Sequence, residues 1–170
     1  MTCAIRHASP SDAIAACGLV RRSIVELCYG DHRGDPDALA KWLSNKTPAH
    51  FERWVTSDQH IALVAEIDGA LVGFGLLSRQ GTIALLYVSP DTRFRGVSKG
   101  LLAALEREAI AAGISELELE SSLTALPFYS RFGYVPARPP CQGFGATTCY
   151  PMSKRLVAIA ESSTNGAPSA

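Results

Sequence analysis

The sequence predicts a single α/β domain, a mixed sheet with helices packed on both faces. Three observations carry that expectation. The chain has 170 residues, 47% hydrophobic and 19% charged, enough for one full-sized core and too apolar for disorder. Two runs, IALVAEI and ALVGFGLL, flank Asp68-Gly69, a dipeptide that supplies the positive φ angles of a tight hairpin turn. Both runs are apolar on both faces, so each side of their sheet needs a cover. Residues 82–121 then read strand, helix, strand, a βαβ unit with parallel strands and a right-handed crossover.

The elements follow in order. Residues 3–7 form a short strand. Ser9-Pro10-Ser11-Asp12 opens a helix: Ser9 caps, Pro10 suits the first helical position, and Asp12 sits where a capping carboxylate belongs. Ile14, Cys17, Ile24, Leu27 and Cys28 give its apolar stripe, which ends before Gly30. Residues 30–35 are polar and read as a flexible loop. Asp35-Pro36 and Thr47-Pro48 each open a short helix. After the hairpin, TIALLYV (82–88) is a strand. Leu101, Leu102, Leu105 and Ala109 stripe a helix from Val97 to Ala112, which Gly113 stops. Strand 114–121 alternates Leu117 and Leu119 with Glu116, Glu118 and Glu120. A short helix (125–132) ends at Gly133, and strands near 134–137 and 146–155 close a domain spanning residues 1–157. Residues 158–170 are small and polar and read as a flexible tail.

Charge and cysteine content exclude several classes. Sixteen basic residues balance sixteen acidic ones, which argues against broad nucleic-acid or membrane-surface binding. The N-terminus lacks the basic-then-apolar pattern of a signal peptide, and no apolar run approaches the length of a membrane span. Five cysteines are irregularly spaced with no CxxC pair, so neither a zinc site nor a disulfide framework is expected. Buried, reduced thiols in a cytoplasmic protein are expected instead. His7, His50 and His60 show no metal-ligand spacing, and no metal is expected.

The most informative segment is 88–100. A helix N-terminus offers unpaired backbone N–H groups and the positive end of a dipole. Gly96 lets the backbone approach a ligand, and Arg93, Arg95 and Lys99 add positive charge. Together these suit a diphosphate at the carboxyl end of a strand, although a basic surface loop has the same composition. Neither GxxxxGK[ST] nor GxGxxG is present, which disfavours ordinary nucleotide sites.

Three segments carry a family resemblance. Arg93-Phe94-Arg95-Gly96-Val97-Ser98 resembles the Q/R-x-x-G-x-G/A acyl-CoA motif of GNAT N-acetyltransferases. Ser98 stands where the family has Gly or Ala, and Phe94 where many members have a second glycine. Ala125-Leu126-Pro127-Phe128-Tyr129-Ser130-Arg131-Phe132-Gly133-Tyr134 is similar to the A-x-x-F-Y-x-x-x-G-F/Y segment, and Met152-Ser153-Lys154 resembles a closing Met-x-Lys. The resemblance implies a mixed, mostly antiparallel twisted sheet around a central βαβ unit, and acetyl-CoA as cosubstrate.

It also implies roles. Backbone N–H groups of Arg95, Gly96, Val97, Ser98, Lys99 and Gly100, with Arg93, would hold the CoA diphosphate. Leu86, Tyr87 and Val88 would contact pantetheine through the main chain, in a gap where the parallel strands splay. A main-chain N–H at Leu86 or Val88 would polarise the acyl carbonyl. The acceptor, a small-molecule or peptide amine, would attack directly, and Tyr129 would protonate the leaving thiolate. Members often place a catalytic carboxylate on the fourth strand, but residues 82–88 have none. Glu120, Glu26 and His32 are the candidate bases, alongside a water chain. Acidic Glu26, Asp31 and Asp35 hint at a cationic acceptor. Many members pair, so a homodimer is admitted. The alternative is a non-catalytic acyl-CoA-binding module of the same fold.

Overall fold

The computed structural model describes residues 3–143, 145 and 147–157. The expected tail, 158–170, lies outside them. Strand β1 (Cys3–His7) leads through a 3₁₀ turn at Pro10–Asp12 into α1 (Ala13–Leu27). Ser9 N–H donates to the Asp12 carboxylate at 2.7 Å, as the capping pattern implied, and Arg6 pairs with the same carboxylate at 2.8 Å. The short helices α2 (Tyr29–His32), α3 (Pro36–Leu43) and α4 (Pro48–Thr56) follow. Asp35 and Thr47 cap α3 and α4 by accepting backbone N–H bonds, each with proline just inside the helix.

Strands β2 (His60–Ile67) and β3 (Ala70–Ser78) form the expected hairpin. Its turn residues Asp68 and Gly69 have φ of 51° and 78°, the two positive values such a turn demands. Then come β4 (Thr82–Val88), α5 (Val97–Ala111), β5 (Glu116–Ser121), α6 (Leu126–Arg131), β6 (Val135–Pro136), β7 (Cys141–Gly143) and β8 (Thr147–Arg155). The sheet order is β1-β2-β3-β4-β5-β8-β6, with β7 paired to β8. Every pairing is antiparallel except β4 with β5. This is the mixed, mostly antiparallel sheet expected. Strand β7 was not anticipated; nothing in Cys141-Gln142-Gly143 reads as a strand until β8 supplies its partner.

Two apolar layers cover the sheet. One joins Leu101, Leu102 and Leu105 of α5 to Leu63, Leu77, Ile83, Leu117 and Leu119. The other joins Val20 and Ile24 of α1, Trp42 of α3 and Phe51 of α4 to Val64, Phe74, Leu76 and Leu85. Helix α5 lies close to β3 because Gly73 and Gly75 carry no side chain there. A methyl at Gly73 would stand 2.6 Å from Leu101 Cδ1 and 3.0 Å from Val97 Cγ1. Both neighbours are buried, so neither can swing into solvent. Gly73→Val is therefore expected to cost about 1–3 kcal/mol of stability by overpacking, read from the urea midpoint. An unchanged midpoint would mean that α5 does not need this close approach.

Residues 30–35 are not the flexible loop expected. Tyr29–His32 is a helical turn, and two buried contacts fix it. His32 is 3% exposed, and its Nε2 lies 3.1 Å from the carbonyls of Ile24 and Val25 at the end of α1. The Asp31 carboxylate accepts from the N–H groups of Leu123 and Thr124. The thiols also divide unexpectedly. Cys17, Cys28 and Cys149 are buried, but Cys141 is exposed and Cys3 half-buried, because β1 and β7 each leave an edge open. Among the described residues no helix is long and apolar enough to cross a membrane.

Candidate active site

Strands β4 and β5 pair at only two positions, Thr82 with Glu118 and Ile83 with Leu119. Beyond them the sheet splits. On its other edge β4 stays paired with β3 as far as Val88, with a register shift that leaves Ala84 without an opposite residue, a β-bulge that bends the strand. Ser89 N–H donates to the Val72 carbonyl on the β3 side. Strand alternation then turns the N–H and C=O groups of Leu86 and Val88 toward β5, into the split. Two donors and two acceptors there await a ligand.

The split opens into a cleft of about 480 Å³. Leu86, Tyr87 and Val88 line one wall; Arg93, Gly96, Val97, Ser98 and Lys99 line its mouth; Tyr129 and Phe128 line the wall on the α6 side. The mouth is the N-terminus of α5. Gly96 has φ of 79°, a left-handed conformation that glycine takes without strain. No side chain caps the helix and no acidic residue occupies its first turn. The first intrahelical bond of the backbone runs from Gly100 N–H to Gly96 C=O, so the amides of Val97, Ser98 and Lys99 have no helical acceptor. Phe94 also has positive φ, 65°, and is 91% exposed with the Arg93 guanidinium 4.7 Å from its ring centroid. A non-glycine residue held left-handed costs about 1–2 kcal/mol, which explains why glycine suits this place in the motif.

Two loop residues do not fit the role first assigned to them. Gly100 lies one turn inside α5, with its N–H already bonded, and packs toward Ile5 of β1. Arg95 spends its N–H on the Thr92 carbonyl and sits in the groove behind the loop, beside Pro90 and Asp91.

Tyr129 is 6% exposed, and its ring packs edge-on against Phe128 and Tyr134. Its hydroxyl has no hydrogen-bond partner among the described residues. Burial pushes its pKa well above the usual phenol range, with a smaller push from Cys28, so the phenol keeps its proton at neutral pH. Cys28 also lines the cleft; burial, with a smaller push from Asp31, raises its thiol to about 12. That is no nucleophile. The other two motif residues are structural. Tyr134 donates to Glu106 at 3.2 Å and Lys154 donates to it at 2.8 Å, tying β8 to α5.

The three candidate bases fare poorly. His32 is fully engaged: its Nδ1 accepts from Gly34 N–H at 3.0 Å while Nε2 faces the α1 carbonyls. It terminates a helix and has no lone pair to offer. Glu26 pairs with Arg22 at 2.6 Å, and Arg22 also holds Asp91 at 2.6 Å, so this carboxylate is tied up with the arginine that clamps α1 to the loop after β4. Glu120 is the first residue of β5 past its pairing with β4, stays paired with Pro151 of β8, and does not line the cleft. It stands beside Cys141 and Cys149, one ligand atom of each within 4.8 Å of the others. No carboxylate or imidazole among the described residues lines the cleft.

An uncapped helix N-terminus at one end and an unpaired strand edge at the other suit an extended thioester carrier that bears a diphosphate. Comparison with known proteins agrees. The family model described as an acetyltransferase (GNAT) domain matches residues 31–156. A GCN5-related N-acetyltransferase from Rhodopseudomonas palustris is 30% identical, with a TM-score of 0.80 over 92% of this chain and 97% of that one. The PaiA N-acetyltransferase of Thermoplasma acidophilum, solved with coenzyme A, is 20% identical with a TM-score of 0.73 over 91% and 99%. The ribosomal-protein-S18-alanine N-acetyltransferase of Escherichia coli is 18% identical with a TM-score of 0.65 over 95% and 98%. This chain belongs to the GNAT acetyltransferase family, whose enzymes take acetyl-CoA as cosubstrate.

Proposed function

We propose that this protein transfers acetyl from acetyl-CoA to a primary amine by direct attack within a ternary complex. The amides of Val97, Ser98 and Lys99 take the diphosphate at the helix dipole's positive end, and Arg93 and Lys99 add charge at the same mouth. Leu86 and Val88 hold the pantetheine arm as though it were the missing strand. One of their N–H groups polarises the thioester carbonyl as the tetrahedral centre forms. Tyr129 donates its phenolic proton to the departing thiolate.

With no carboxylate or imidazole lining the cleft among the described residues, the acceptor ammonium loses its proton to water and attacks as the free amine. Acetyl transfer should then rise with pH as the free-amine fraction of the acceptor rises. The observation that carries the assignment is the split between β4 and β5 beside an uncapped helix N-terminus. The test is thiol release from acetyl-CoA over a panel of amines. Turnover with one acceptor class is expected. Tight CoA binding by calorimetry with no turnover across the panel would instead favour a non-catalytic acyl-CoA-binding module.

A further inference from the structure

A second cleft, of about 410 Å³, lies on the α1 face of the sheet, across β4 from the acetyl-CoA cleft. Ala84 and Leu85 of β4 line it, while the next residue, Leu86, lines the first. Consecutive residues of β4, next to the bulge at Ala84, thus line the two clefts. Lys46, from the loop between α3 and α4, also lines the second cleft and is only 7% exposed. α1 fixes its backbone: its carbonyl accepts from the Cys17 thiol and from the Arg21 guanidinium.

The Lys46 ammonium has three donors and donates to Asn45 Oδ1 at 2.6 Å. Among the described residues it has no carboxylate partner. Burial alone lowers its pKa to about 8. A buried cation without a counter-ion is costly, and proteins leave one where a ligand supplies the charge. His60 lines the same cleft, and its Nδ1 is buried with no hydrogen-bond partner among the described residues. Trp42, Trp54, Leu76 and Leu85 form the apolar part of the lining, beside the polar Lys41, Ser44 and Asn45.

We propose that this cleft is the acceptor subsite and that Lys46 binds a carboxylate there, so that the acceptor is an amino-carboxylate with an apolar body, such as an α-amino acid. The assignment deepens the acetyl-transfer function and rests on it. The carboxylate lies against Lys46 and His60, the side chain lies against the two indoles, and the amine points along β4 toward the thioester. Two lysines line the cleft, Lys41 exposed and Lys46 buried, and the two spare N–H groups of the buried one match the two oxygens of a carboxylate.

The test uses binding as well as turnover. Trp42 and Trp54 are both of the chain's tryptophans, so indole fluorescence reports on this cleft. With the protein saturated by CoA, 3-phenylpropionate should bind at least about tenfold more tightly than uncharged 3-phenylpropionamide. Lys46→Met keeps the length of the stem and should abolish that difference; Lys46→Arg should keep most of it. In the thiol-release assay, the preference for L-phenylalanine over 2-phenylethylamine should fall about 10²-fold in kcat/KM for Lys46→Met. CoA affinity should not change. Equal binding of acid and amide would overturn the proposal, as would tighter binding of phenyl phosphate or an acid preference that survives Lys46→Met. Failure of the acetyl-transfer assignment looks different: 3-phenylpropionate would still bind selectively, yet no acceptor would release thiol.

Discussion

Tyr129→Phe should lower kcat by about 10² to 10⁴, the range a positioned general acid contributes, while the Kd for CoA changes by less than about twofold. The split in effect follows from the geometry. The Tyr129 hydroxyl has no partner to lose among the described residues, and its ring packs against Phe128 and Tyr134 whether or not the oxygen is present. Phenylalanine fills the same space, so the folded state should lose less than about 0.5 kcal/mol. The deficit should also depend on the leaving group. An acyl donor whose thiol is more acidic than CoA needs less protonation, and the variant should recover part of its rate with it. Wild-type turnover by Tyr129→Phe with a competent acceptor would remove Tyr129 from the chemistry and leave it a packing residue.

Ser98→Glu should move stability and affinity in opposite directions. Glutamate in the first turn of α5 meets the dipole's positive end and should add about 0.3–1 kcal/mol to stability, because no acidic residue does so now. The same carboxylate would stand where the diphosphate belongs. Two like charges about 6 Å apart, at an effective dielectric of about 20, repel by about 3 kcal/mol, which weakens CoA binding about 10²-fold. Thermal denaturation and calorimetry on one preparation read both signs. A variant that is stabilised yet binds CoA as before would place the phosphates elsewhere.

Local chemistry made much of the fold legible. Asp68-Gly69, Asp35-Pro36 and Thr47-Pro48 each act within a few residues, and the turn and both helices begin where those residues stand. The Leu101, Leu102 and Leu105 stripe acts at helical period, and α5 occupies Val97–Ala111. What stayed hidden depends on partners far along the chain. Gly30 and Asp31 read as loop because the groups that order the turn, the Leu123 and Thr124 amides, lie about ninety residues away. His32 read as a candidate base in a polar loop because nothing near it shows that it closes the end of α1. Lys46 drew no notice at all. A lysine between helices is ordinarily solvated, and only the packing of α1, α3 and α4 removes its water.

The same division runs through the site. The helix start at Gly96 was legible in the motif because it is local, whereas Arg95 and Gly100, named with it, give their N–H groups to Thr92 and Gly96. The open strand edge could not be read from residue types. It arises because the Ala84 bulge and the divergence of β5 after Leu119 leave Leu86 and Val88 without partners.

The most direct measurement is a ¹H–¹⁵N correlation spectrum of the labelled protein during titration with CoA. Backbone amide protons of Val97, Ser98 and Lys99 should move furthest downfield, as they gain phosphate acceptors, with Leu86 and Val88 next as they gain pantetheine carbonyls. If those five amides stay still while CoA binds, or the shifts gather elsewhere, the diphosphate does not sit on α5 and the thioester does not enter the split between β4 and β5.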